Sequence, residues 1–120
     1  MTIKACSKLT KNCVSTANEK GGRSMNPITY SCSASEAMNH LRNVLYSMKG
    51  AEIAEQSGTR LHAVFTSDKM KFKDDVEFEM NDKAKKIHFR SASRTGYYDF
   101  GVNRRRMEEI EERFKKECGT

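Results

Sequence analysis

Three short segments of this chain alternate apolar and polar residues, and that period of two constrains the fold more than any other feature. In "RLHAVF" (60–65) Leu61, Ala63 and Phe65 point one way; in "DVEFEM" (75–80) Val76, Phe78 and Met80 do; in "KIHFRSAS" (86–93) Ile87 and Phe89 do, followed by small Ser91 and Ser93. Successive side chains of a strand point to opposite faces, so each segment has one apolar and one polar face. Three such strands make an antiparallel sheet covered on one side only. "EIAEQSG" (52–58) reads as a further strand with Ser57 and Gly58 in its turn, and "ITY" after the single proline, Pro27, as a short one. "NDKAK" has the composition of a turn between strands at 73–80 and 86–93.

The cover comes from two helical patterns. Ser33 followed by Glu36 fits a capping box, in which each side chain satisfies a backbone donor left free at a helix start. Ala37, Met38, Leu41, Val44, Leu45 and Met48 then recur at three- and four-residue intervals, and Gly50 stands at the exit, so a helix is expected over 34–49. A second is expected over 102–117, with Met107, Ile110 and Phe114 as a narrow apolar stripe. Arg104 with Glu108, Arg105 with Glu109, and Glu109 with Arg113 stand four apart and should answer part of the arginine charge. Residues 1–25 carry "KGG", show no periodicity and read as an irregular arm. A chain of 120 residues supports one core, and with 37% hydrophobic and 32% charged residues that core must be thin. The expected fold is therefore α+β: a largely antiparallel four- or five-stranded sheet with two helices packed on one face, forming a single domain over 26–117 behind the arm.

Charge and cysteines limit the partners. The net charge is +6, but 22 basic residues are interleaved with 16 acidic ones and form no long basic stripe, so nucleic acid is not an expected partner. No stretch approaches the roughly twenty apolar residues that span a bilayer, and "MTIKACSKLTKNCVST" lacks the apolar middle of a signal peptide. As it stands the chain is expected in the cytoplasm, with export or an organelle as the alternative had a leader been removed. The spacing of Cys6, Cys13, Cys32 and Cys118 fits no zinc pattern, and no metal or cofactor is expected. Cys6 and Cys13 would close a short disulfide loop in an oxidising compartment and stay thiols in cytosol. Cys32 and Cys118 are read as ordinary thiols.

Parity also places chemistry on the polar face. Asp75, Glu77 and Glu79 point away from the helices, as do His88, Arg90, Ala92 and Arg94 on the next strand, so a hairpin register sets carboxylates beside His88 and Arg90. Opposite charges across strands stabilise an exposed face by roughly 0.2–1 kcal/mol a pair. If the arm and the loop at 95–101 folded over this face, Asp75 or Glu77 with His88 could act as an acid–base pair. The stretch "RSASRTGYYDFGVNRRR" (90–106) brings arginines, hydroxyls and two glycines to the start of the second helix, where free amides and the helix dipole attract carboxylate and phosphate. Its other reading is structural, with Asp99 pairing with Arg94 or Arg104 and Asn103 capping the helix.

"FKDDVEFEM" (72–80), "IHFRSASRTGYYDFGVNRRRMEEI" (87–110) and "NCVS" (12–15) together resemble the uncharacterised family known as domain of unknown function 1499. The resemblance runs over most of the chain and implies a set of motif positions: Asp74, Asp75, Glu77, Phe78, Arg90, Ser91, Ser93, Arg94, Gly96, Asp99, Gly101, Asn103, Arg104 and Arg106. It also implies export or membrane attachment, from which this chain departs in showing no leader. The leading expectation is a small non-catalytic binding module for an anionic small molecule or an acidic partner segment, with Asp75, Glu77, Arg90, Ser91, Ser93, Arg94, Asp99, Asn103 and Arg104 as the binding residues. The alternatives are a small enzyme using Asp75 or Glu77 with His88, and a structural or interaction protein whose arginine-rich joint only stabilises the fold.

Overall fold

A computed structural model describes residues 3–118; the first two residues of the expected arm lie outside it. Eight elements follow one another: β1 (Cys13–Ser15), β2 (Ile28–Thr29), α1 (Ala34–Tyr46), β3 (Ala51–Ser57), β4 (Arg60–Thr66), β5 (Lys73–Asn81), β6 (Lys86–Ser93) and α2 (Val102–Cys118). The six strands form one antiparallel sheet in the order β1-β6-β5-β4-β3, with β2 also paired to β6. The sheet gains a strand over the sequence reading because the arm is not irregular throughout. Cys13, Val14 and Ser15 pair with Ala92, Ser91 and Arg90, and Val14 joins the core.

Both helices cover the face that the alternation marks as apolar. Leu61, Val76, Phe78, Ile87 and Phe89 of the sheet meet Leu41 and Leu45 of α1 and Met107, Ile110 and Phe114 of α2 in one cluster. Phe78, Phe89 and Phe114 are fully buried, each worth about 1.5–3 kcal/mol of transfer free energy. The capping box forms: the Glu36 N–H donates to Ser33 Oγ and the Ser33 N–H to Glu36 Oε1, both at 3.2 Å. α1 ends at Tyr46, three residues short of the expected 49. Its last turn tightens as the Ser47 hydroxyl donates to the Val44 carbonyl at 2.6 Å, and Gly50, at φ +82, then turns the chain into β3. A side chain at Gly50 would place a Cβ 2.5 Å from the Thr66 carbonyl oxygen.

Two disulfides close the molecule. Cys6–Cys13 bridges the arm, and its sulfurs pack with Ala92 on the outer face of the sheet. Cys32, just before α1, is joined to Cys118 at the end of α2, with Cα atoms 5.9 Å apart. The reading of Cys32 and Cys118 as ordinary thiols is corrected here: helix packing brings together two residues 86 positions apart, a proximity no local pattern encodes. Among the described residues no helix is long and apolar enough to cross a membrane.

Candidate functional site

The stretch 90–106 works first as a joint. Asp99 caps α2: its Oδ2 accepts from the Asn103 N–H at 2.9 Å and from the Asn103 side-chain amide at 2.7 Å, and its Oδ1 accepts from the Gly101 N–H at 2.9 Å. Burial alone would raise this carboxyl, but the combined donors from Asn103 and Gly101 outweigh it and hold Asp99 below the usual carboxylate range. The amides that would make the helix start an anion site are thus answered by the chain's own carboxylate. Asn103, fully buried, extends the joint: it accepts from the Ser91 hydroxyl at 2.6 Å and donates to the Asn12 carbonyl and to Ser93 Oγ, each at 3.0 Å.

Beneath it lies a buried ion pair. Arg106 Nη2 donates to Asp74 Oδ2 at 2.6 Å, Nη1 donates to Asn103 Oδ1 at 2.8 Å, and the guanidinium stands 4.7 Å over the Phe65 ring. The side chains of Arg106 and Asp74 are only 12% and 11% exposed. Asp74 shares the helix-facing parity of Val76, so β5 sends a carboxylate inward at its first turn of the alternation to meet α2. Arg104 donates to the carbonyls of Gly22 and Ser24, at 2.8 Å each, and Arg105 to the carbonyl of Phe100 at 2.9 Å. Of the three helical pairs expected from spacing, only Glu109–Arg113 forms, at 2.6 Å. The other two arginines reach backbone carbonyls instead, because both lie on the turn that meets the arm and the β6–α2 loop.

Beside the joint, on the helix side, opens a cleft of about 1140 Å³. Its floor holds Phe65, Asp74 and Arg106; one wall is the β4–β5 loop with Lys71 and Phe72; the other is the β6–α2 loop and the flank of α2, with Tyr98, Phe100 and Arg105. The acidic side chains lining it are engaged: Asp68 with Lys49, Asp74 with Arg106, Glu109 with Arg113, and Asp99 in the cap. Among the described residues Lys71 and Arg105 make no carboxylate contact within 4.0 Å, so two of the cleft's five cations lack a carboxylate partner, and its lining carries one more cation than carboxylate. Lys71 and Phe100 both adopt left-handed backbone, φ +56 and +57. Such conformations cost about 1–3 kcal/mol each in non-glycine residues and concentrate at sites where geometry serves function.

A family model described as a protein of unknown function (DUF1499) matches residues 2–114. The chain belongs to this family. No curated protein matches it. In this DUF1499 chain the motif positions named from the sequence divide between the two faces of the sheet. Asp74, Ser91, Ser93, Asp99, Asn103 and Arg106 build the joint on the helix side; Asp75, Glu77, Arg90 and Arg94 stand on the outer face; Arg104 ties the arm to α2.

The outer face carries the expected ladder, with Glu77 opposite Arg90 and Glu79 opposite His88. The close contacts run differently. His88 Nδ1 lies 3.3 Å from Thr16 Oγ1, and the imidazole that meets a carboxylate is His62, whose Nε2 is 2.8 Å from Asp75 Oδ1. Arg94 grips the same carboxylate with two bonds, at 2.8 and 2.9 Å. Those bonds, followed by the His62 contact, hold Asp75 below the usual range against the effect of burial. Asp75 is therefore held in its ionised form, accepting both bonds from Arg94 and lying against His62. Glu77 turns to Arg60 at 3.3 Å. The arm meets this outer face at Ala92, through the Cys6–Cys13 bridge, and at His88, through Thr16, while the 95–101 loop lines the cleft beside α2. Among the described residues no group of three or more His, Cys, Asp or Glu side chains is placed to hold a metal ion.

Proposed function

We propose that this chain is a non-catalytic binding module for an anionic small molecule, and that the molecule sits in the cleft between the β4–β5 loop and α2. The supporting observation is the pair Lys71 and Arg105, cations without carboxylate partners in the walls of a cavity large enough for a metabolite. Ser93 and Asp99 of the residues expected from sequence line the same cavity. Asp75, Glu77, Arg90 and Arg94 belong to the outer-face ladder, and Ser91, Asn103 and Arg104 to the joint that positions the wall. The two disulfides favour an oxidising compartment, since cytosolic reductants keep thiols apart.

The test is a proton–nitrogen NMR titration of labelled protein with a panel of anionic metabolites. Shifts confined to residues 65–74 and 95–106 support the cleft. Shifts confined to 60–64, 75–79 and 88–90 would move the site to the outer face, and no shifts with any anion would remove the binding reading.

A further inference from the structure

The apolar part of the cleft says what kind of anion fits. Eight large hydrophobic residues are exposed among the described residues, and four of them, Phe72, Tyr98, Phe100 and Val102, line this one cavity. Exposed apolar surface gathered at one place marks a site of contact, whereas single exposed residues scattered over a surface need no explanation. Phe100 is the clearest case: it is 74% exposed, and its backbone stands at φ +57, so the fold gains neither burial nor relaxed geometry from a phenylalanine there. Its ring lies 4.6 Å from that of Tyr98, centroid to centroid, and the two form one aromatic wall. Phe72 lines the facing loop at 55% exposure.

The charged part is separate and small. Arg106 is committed to Asp74 and Asn103 on the floor, so recognition of a negative head falls to Arg105 and Lys71. Arg105 is held at the aromatic wall by the Phe100 carbonyl. Gly101, at φ +80, leaves it room: a Cβ there would come within 2.9 Å of Arg105 Nη1. A guanidinium with donors to spare beside a phenyl wall suits one carboxylate or phosphate attached to an apolar body.

We infer that the ligand is an amphipathic anion, an apolar chain or ring held between Phe72 and the Tyr98–Phe100 wall with a carboxylate or phosphate head at Arg105 and Lys71. This rests on the cleft reading above. The experiment is calorimetric and NMR titration with octanoate and octyl phosphate, each below its micellar concentration, beside acetate, inorganic phosphate and neutral octyl glucoside. The two octyl anions should shift cleft resonances and bind at least tenfold more tightly than the other three, and the carboxylate and phosphate arms rank the two heads. Phe100→Gly, where glycine suits the positive φ, should cut the octyl anions' affinity at least fivefold with no fall in melting temperature. Arg105→Gln combined with Lys71→Gln should bring octanoate down to the level of octyl glucoside.

Equal binding of acetate or phosphate and the octyl anions in the cleft would overturn the amphiphile while leaving the anion site standing. Equal binding of octyl glucoside would overturn head recognition and with it the inference. Sedimentation with phosphatidylglycerol vesicles, without binding of the monomeric octyl anions, would assign the aromatic wall to a bilayer surface and overturn it too. Silence from every probe would defeat the cleft reading and this inference together.

Discussion

Two neighbouring aspartates on β5 have opposite fates because strand parity sends them to opposite faces. Asp74 is buried against Arg106 beneath α2, and Asp75 lies on the open face with Arg94 and His62. Removing one member of a buried pair leaves an uncompensated charge, which costs about 3–5 kcal/mol. Asp74→Ala and Arg106→Ala should each lose roughly that amount in urea unfolding, whereas Arg94→Ala, at an exposed pair, should lose under about 1 kcal/mol. A loss for Arg94→Ala as large as for Arg106→Ala would refute this division of the faces. The same residues set the acid limit. Asp75 and Asp99 have folded pKa values below their unfolded ones, so their contribution is fully present above the unfolded carboxylate pKa of about 3.9 and is lost as pH falls through the lower folded values. Stability should fall steeply below about pH 4. Asp99→Asn should flatten that limb, and an unchanged acid profile in this variant would remove Asp99 from the account.

At the scale of elements, each helix is held by a side-chain cap and one close approach. Ser33→Ala should cost α1 about 1 kcal/mol, read as a lower denaturation midpoint with unchanged slope. Gly50→Ala should cost more than about 1 kcal/mol, because the new Cβ would strike the Thr66 carbonyl and the residue would keep a positive φ. A variant no less stable than the parent would show that the turn between α1 and β3 can shift. α2 is capped by a residue from its own preceding loop, so any change that releases Asp99 also frees the cleft wall carried by Tyr98 and Phe100.

For the whole molecule the long-range disulfide matters most. Cys32–Cys118 closes a loop about twelve times longer than Cys6–Cys13 does, with separations of 86 and 7 residues. The chain-entropy model assigns about 4–5 kcal/mol to the first and about 2–3 kcal/mol to the second. Cys32→Ser with Cys118→Ser should therefore lower the melting temperature more than Cys6→Ser with Cys13→Ser, and reductant should reproduce the sum of both. The reverse order would mean that the arm, pinned over Ala92, carries more of the stability than the clamp between the helices.

The residue order by itself determined the sheet, both helices and the faces of β4, β5 and β6, since periods of two and three to four are local and the apolar set must go where water is excluded. It also determined the capping box, because Ser33 and Glu36 are three residues apart. Tertiary structure alone decided what meets what. β1 was hidden because a three-residue strand has too few alternations to show a period, and it forms only because β6 offers an edge. The Arg106–Asp74 pair and the Cys32–Cys118 clamp join residues 32 and 86 positions apart. The cleft escaped a reading centred on the 90–106 stretch because Lys71 reaches it from the β4–β5 loop, and only packing brings that loop beside Arg105. Which charges find partners is a property of packed geometry, and no spacing along the chain encodes it.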